Sequence, residues 1–189
     1  MGVIQALKVI SRMEADGAIG RYAIAEAFAA FYYAEPGLTE DLDILVSFQA
    51  KDQRKSALVS LDPLLSYLKE KGYGEFRKEG IVIEGWPVQF LPVADDLDAE
   101  ALAQSHDIEI GESGGSMPTR VLTPEHIVAI CLRVGRAKDF SRIAQLLEAN
   151  VLDISFLHEI VNRHGLSEAW RSFCFRHGIP NPSGPYLKP

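Results

Sequence analysis

The run Thr39-Glu40-Asp41-Leu42-Asp43-Ile44-Leu45-Val46 constrains this chain most. Leu42, Ile44 and Val46 alternate with Asp41, Asp43 and Leu45, which is the two-residue period of a β-strand. Side chains two apart leave a strand on one face, so Asp41 and Asp43 point together while Leu42, Ile44 and Val46 anchor the opposite face in a core. Carboxylates placed this way stand about 7 Å apart along the strand and can share one or two Mg²⁺ ions. Such an ion bridges nucleotide phosphates and polarises the one under attack. Two aspartates at the rim of a sheet are the plainer reading of the same triplet, so the flanking segments decide.

Ahead of this strand, residues 2–15 carry Val3, Ile4, Leu7, Ile10 and Met13 on one helical stripe, which Asp16-Gly17 ends. Residues 21–24 predict a short buried strand, residues 25–34 a buried helix, and Pro36-Gly37 a turn. Beyond it, residues 57–61 are apolar but too short to assign. Asp62 as N-cap, Pro63 as first helical residue and Gly72 as stop predict a helix over 62–71. Residues 75–93 read as strands, with a hairpin at Glu84-Gly85-Trp86-Pro87 whose Gly85 suits the first central position of a type II′ turn. That turn sets Val82 opposite Gln89.

Residues 94–119 hold Gly111, Gly114 and Gly115 and predict a long surface loop with one short helix near Leu97–Ala103. Thr123 as N-cap and Pro124 as first helical residue open a helical region, with helices expected over 124–134, 138–149, 153–164 and 167–177. The expected organisation is an α/β core over 1–122, a mixed sheet flanked by helices, followed by a helical region with a coil tail over 123–189.

The net charge of −7 argues against extensive nucleic-acid binding, which needs a basic face. Lysines and arginines cluster mildly at Lys51/Arg54/Lys55 and at Arg133/Arg136/Lys138/Arg142, enough for a local contact to a nucleotide or a tRNA end. No stretch approaches the roughly 18 apolar residues of a membrane span, and no signal-peptide pattern is present. A cytoplasmic protein without a membrane partner is expected. Cys131 and Cys174 lack metal-ligand spacing and read as reduced core residues. None of the five histidines has a partner at metal-binding spacing, and His126, early in its helix, is expected to be exposed.

The stretch YAIAEAFAAFYYAEPGLTEDLDILV resembles the nucleotidyltransferase superfamily signature of strand, glycine pair, helix and Asp-x-Asp strand. It is similar in particular to the AbiEii-like, toxin-type bacterial group, with Tyr32 and Tyr33 on that group's tyrosine pair and Thr39, Asp41, Leu42 and Asp43 on its Thr-x-Asp-Leu-Asp run. A second stretch, TPEHIVAICLRVGRAKDFSRIAQLL, is similar to the helix such proteins carry after the sheet, with Gly135, Arg136, Lys138 and Asp139 on matching positions. The resemblance implies transfer of a nucleoside monophosphate from an NTP to a hydroxyl, on a tRNA end or a protein. It implies Asp41 and Asp43 as catalytic Mg²⁺ ligands, Ala25, Glu26 and Thr39 beside the nucleotide, and Arg136 or Lys138 on its phosphates. An inactive relative that binds a nucleotide or a partner protein, for instance in a toxin–antitoxin or defence module, is the alternative.

Two positions depart from the pattern. The glycine pair after Ile24 is replaced by Ala25 and Glu26, so a carboxylate stands where phosphate oxygens approach a helix N-terminus. Two like charges about 4 Å apart repel by roughly 4 kcal/mol at an effective dielectric near 20, more than the ~2 kcal/mol a helix N-terminus contributes at best. The third acid is replaced by Gln89, whose amide can lend an oxygen to a metal but takes no proton at neutral pH. Glu84 is the nearest acid on the hairpin. In the second stretch Cys131 occupies a lysine position and Arg142 an aspartate position.

Overall fold

Period-two apolar runs within the first 122 residues assemble into one mixed sheet. In the computed structural model, which describes residues 2–35, 39–48, 61–112 and 115–180, the strands are β1 (Tyr22–Ile24), β2 (Leu42–Val46), β3 (Phe76–Arg77), β4 (Gly80–Ile83), β5 (Trp86–Pro92), β6 (His106–Glu112) and β7 (Gly115–Val121). Their order is β3-β4-β5-β2-β1-β7-β6. β2 runs antiparallel to β1 and parallel to β5, while β1 runs parallel to β7. All of β1 and all five residues of β2 are buried, as expected of central strands covered on both faces.

The chain divides into two compact units, residues 1–29 with 37–122, and residues 30–36 with 123–189. In the first, α1 (Gly2–Ala15) buries Ala6, Leu7, Ile10 and Met13, the stripe legible in its sequence. Arg120 ties this helix to the sheet. Its guanidinium donates to Glu14 Oε2 at 2.5 Å and to the Tyr22 carbonyl at 3.1 Å, and lies 5.1 Å from the centre of the Tyr22 ring. The helix α2 (Glu26–Tyr33) starts directly after β1, and α3 (Asp62–Glu70) and α4 (Asp96–Ala103) complete the helices assigned wholly to this unit.

The second unit contains α5 (Pro124–Val134), α6 (Ala137–Glu148), α7 (Ile154–Arg163) and α8 (Ser167–His177), each within a residue of its expected span. Thr123 caps α5 by accepting from the His126 N–H, and Gly135 closes it with a left-handed backbone at φ 72°. Cys131 and Cys174 are free thiols in the core, and burial pushes the Cys174 thiol up to about 11.

Four expectations are corrected. Residues 94–119 are not a loop: apart from α4 they build the β6–β7 hairpin, paired from His106↔Val121 to Glu112↔Gly115. Its sequence is polar because β6 is an outer edge, so only Met117, Thr119 and Val121 alternate into the core. The β4–β5 turn places Ile83 opposite Trp86, making Glu84 and Gly85 the central pair at φ 51° and 82°, a type I′ turn. Val82 therefore faces Pro87, not Gln89, and Pro87 lies within β5 just before β2 begins to pair. Leu61, not Asp62, precedes α3, and Asp62 is its first helical residue. His126 is fully buried, its Nδ1 2.8 Å from Thr123 Oγ1, because the cap turns the ring inward. Residues 57–60, Pro36-Gly37, the Lys51/Arg54/Lys55 cluster and most of the tail lie outside the described residues.

Candidate functional site

Strand directions gather the candidate residues at one end of the sheet. Because β1 and β2 are antiparallel with Ile24 opposite Ile44, the end of β1 meets the start of β2. The Ala25 N–H donates to the Asp43 carbonyl at 2.9 Å, so Ala25 and Glu26 leave the sheet beside Asp43. β5 runs parallel to β2 with Gln89 in register with Asp43. Asp41 lies just before β2, and Thr39 fixes it: the Thr39 hydroxyl is 3.0 Å from Asp41 Oδ1 and 3.2 Å from the Asp41 carbonyl. Asp43 is only 7% exposed, so its carboxyl sits inside the edge and not at a solvated rim.

Glu26 is the first residue of α2 and has φ +47°. A left-handed backbone costs a side-chain-bearing residue about 1–2 kcal/mol relative to the right-handed form. The position where the resemblance calls for glycine thus keeps a glycine backbone while carrying a carboxylate. Among the described residues no group of three or more His, Cys, Asp or Glu side chains is placed to hold a metal ion, so Glu26 does not join Asp41 and Asp43 in a three-carboxylate centre.

A groove of about 350 Å³ opens beside this edge, lined by Glu40, Asp41, Lys78, Glu79, Gly80 and Gln89 among others. Lys78 and Glu79 form the turn between β3 and β4, within the 75–93 stretch expected as strands. Lys78 Nζ reaches Glu40 Oε2 at 2.5 Å. This hydrogen bond and the Glu40 charge push the lysine's proton affinity up, with a further contribution from Asp41, and Lys78 in turn holds Glu40 below the usual carboxylate range. The Gln89 amide donates from Nε2 to Glu79 Oε2 at 3.2 Å. Gly80 fits tightly, since a Cβ there would stand 3.0 Å from the Val88 nitrogen. The signal available in the sequence was the charged pair Lys78-Glu79 directly before a glycine, a turn composition between two short apolar runs. Glu84 is no substitute acid: it lies in the β4–β5 turn and accepts from the Tyr73 hydroxyl at 2.5 Å.

Arg136 and Lys138 belong to the second unit. Arg136 donates through Nε and Nη2 to Asp139 at 2.8 and 3.0 Å, and its backbone N–H also reaches the same carboxylate. Arg142, only 9% exposed, stands 3.5 Å from Asp139 Oδ1 and 3.8 Å from Cys131 Sγ. The two positions in the second stretch that depart from the resemblance, Cys131 and Arg142, thus touch each other. Burial pushes the Asp139 carboxyl up, but the Arg136 hydrogen bonds and the charges of Arg136 and Arg142 outweigh it and leave the group below its ordinary range. Lys138 is exposed in the first turn of α6. Tyr32 and Tyr33 meet edge to face at 5.0 Å, with Tyr32 half exposed, which departs from simple core packing.

No family model matches the chain, and no curated relative does. Among solved structures, an antigenic nucleotidyltransferase-like protein from Paracoccidioides brasiliensis is similar, with 13% identity over 90% of this chain and 94% of that one, at a TM-score of 0.49.

Glu26→Gly removes the strained backbone but also a carboxylate at a helix N-terminus, worth ~0.3–1 kcal/mol, and adds glycine's unfolded-state entropy of roughly 0.5–1 kcal/mol. These offset, so urea unfolding of Glu26→Gly is expected within about 0.5 kcal/mol of the parent, while Glu26→Val, β-branched in a left-handed position, loses roughly 1.5 kcal/mol. Equal losses for both would show that the backbone is not strained. For Asp139, a lowered carboxyl contributes stability that is complete above the unfolded carboxylate range and is lost as pH falls through the folded value. Asp139→Asn is expected to cost about 3 kcal/mol at pH 7. The gap to the parent should narrow as pH falls below about 4. A gap independent of pH would contradict this.

Proposed function

We propose that this is a nucleotidyltransferase-like protein that has kept the carboxylates for a metal-bound nucleotide and lost the group that activates the acceptor hydroxyl. The observation that carries the reading is the register of Asp43 with Gln89. An amide occupies the strand position beside the buried aspartate, and its N–H is committed to Glu79. Amides take no proton at neutral pH, so this position offers no general base.

The donor set fits a single Mg²⁺. That ion is commonly held by one or two carboxylates, with waters and substrate phosphates supplying the rest. Asp41 and Asp43 are the residues that would hold it, and it would neutralise the phosphates of the nucleotide it accompanies. The chain's own residues do the remainder. Thr39 orients Asp41 through its hydroxyl. Lys78, beside Glu40 and within reach of the Asp41 charge, lowers the negative potential that phosphates meet on entering the groove. Glu26, at the mouth of α2, acts against them. The result is a site that binds with modest affinity and does not transfer to an RNA end or a protein acceptor.

Calorimetry with each NTP and Mg²⁺ should give measurable binding that weakens at least about tenfold, roughly 1.4 kcal/mol, in Asp41→Asn/Asp43→Asn. With labelled NTP and total tRNA, or with the protein itself as acceptor, the parent should transfer no more label than Asp43→Asn does. Label transfer that depends on Asp43 would restore the active-enzyme reading. Binding indifferent to both substitutions would remove the nucleotide from this edge.

A further inference from the structure

A second groove, of about 600 Å³, lies in the first unit between α1, the end of α3 and the β4–β5 turn. The groove is shallow and open to solvent. Of the residues weighed above, Glu84, already set aside as a substitute acid, lines it, and none of the residues at the carboxylate edge does. Lys8 and Arg12 project from one face of α1, four residues apart, opposite the stripe that α1 buries. Lys71 enters from the C-terminal cap of α3, and Tyr67, Tyr73 and Glu84 complete the wall.

The acids around this groove accept hydrogen bonds from its own side chains. Asp16, at its margin, accepts from Arg12 Nε at 3.2 Å and from the Tyr67 hydroxyl at 2.7 Å. Glu84 accepts from the Tyr73 hydroxyl at 2.5 Å. Both tyrosine hydroxyls donate at the rim, with the two rings on the groove wall. Lys71 Nζ stands 5.3 Å from the centre of the Tyr67 ring, a cation–π contact, and its charge is also felt by Asp16. Among the described residues neither Lys8 nor Lys71 forms an ion pair with a carboxylate. The chain has a net charge of −7, so a groove wall with Lys8, Arg12 and Lys71 against Glu84, and Asp16 at its margin, carries a local excess of positive charge beside aromatic rings. Cations on a groove wall concentrate anions, and an aromatic face receives a flat ring.

We propose that this groove binds a nucleoside phosphate unit without a metal ion, its phosphate on Lys8 and Lys71 and its base against Tyr73. The unit comes either from a free nucleotide or from a single-stranded RNA. The site is separate from the carboxylate edge and does not depend on the reading of that edge.

The test uses fluorescent ADP and a labelled five-nucleotide RNA, both in EDTA, with inorganic phosphate as a third probe. The parent should bind one of the first two, more weakly as salt rises from about 50 to about 200 mM. Lys8→Ala/Lys71→Ala should weaken binding at least tenfold, and Tyr73→Leu several-fold, while Tyr73→Phe, which keeps the ring, retains it. Asp41→Asn/Asp43→Asn should bind as the parent does. Whichever probe binds more tightly identifies the source. Binding by neither probe, or equal binding by the lysine double variant, overturns the proposal, as does loss of binding in the aspartate double variant. Inorganic phosphate binding as tightly as ADP overturns the role of Tyr73. Lys8 and Lys71 are exposed, so thermal melts of the variants should match the parent.

Discussion

Antiparallel pairing of β1 with β2 is the constraint on which the carboxylate edge depends. It brings the exit of one strand against the entry of the next, and the hydrogen bond from Ala25 to the Asp43 carbonyl closes that junction. Everything at the edge takes its position from there. The first residue of α2 is fixed beside Asp43, and parallel pairing of β2 with β5 fixes Gln89 on the other side. A one-residue slip in either ladder would turn Asp43 to the opposite face of the sheet, and burial of all five β2 residues makes that slip costly.

This geometry also shows why the changes at Glu26 and Gln89 are of different kinds. At Glu26 the backbone remains in the left-handed form that glycine favours, so the path of the chain is unchanged and only the side chain is new. At Gln89 the strand is intact and the side chain is a neutral amide where the resemblance implies an acid. Both alter chemistry while leaving the scaffold in place. The second unit shows a comparable exchange, where Arg142 and Cys131 meet and Asp139 is held between two guanidiniums. Arg136 is therefore first a structural partner of Asp139, with two of its side-chain nitrogens committed inside its own unit.

Strong local signals were legible in the sequence. The helices of the second unit follow from a Thr-Pro start, a glycine stop and amphipathic spacing, and β2 follows from its alternation. The β6–β7 hairpin was not legible, because an edge strand needs few apolar residues and Ile108 and Ile110 are only partly covered. The turn at Glu84-Gly85 was misplaced by one residue because Pro87 looked like a turn residue, although it sits in the strand ahead of the β2 pairing. At the carboxylate edge, motif and spacing lead to Asp41, Asp43 and Gln89, and the β2–β5 register sets Gln89 beside Asp43. They do not lead to Lys78, Glu79 and Glu40, because the meeting of these three depends on how the β3–β4 turn folds over the edge, a long-range fact that no local pattern carries.

The proposed loss of chemistry turns on Gln89, an amide in register with Asp43 where the resemblance implies an acid. Calorimetric titration of Mn²⁺ into the parent and into Gln89→Asp tests this most directly. The account predicts that the new carboxylate, in register with Asp43, raises affinity for the ion by at least about tenfold, roughly 1.4 kcal/mol. Equal affinities in the two proteins would contradict it, because position 89 would then not face the same ion as Asp41 and Asp43.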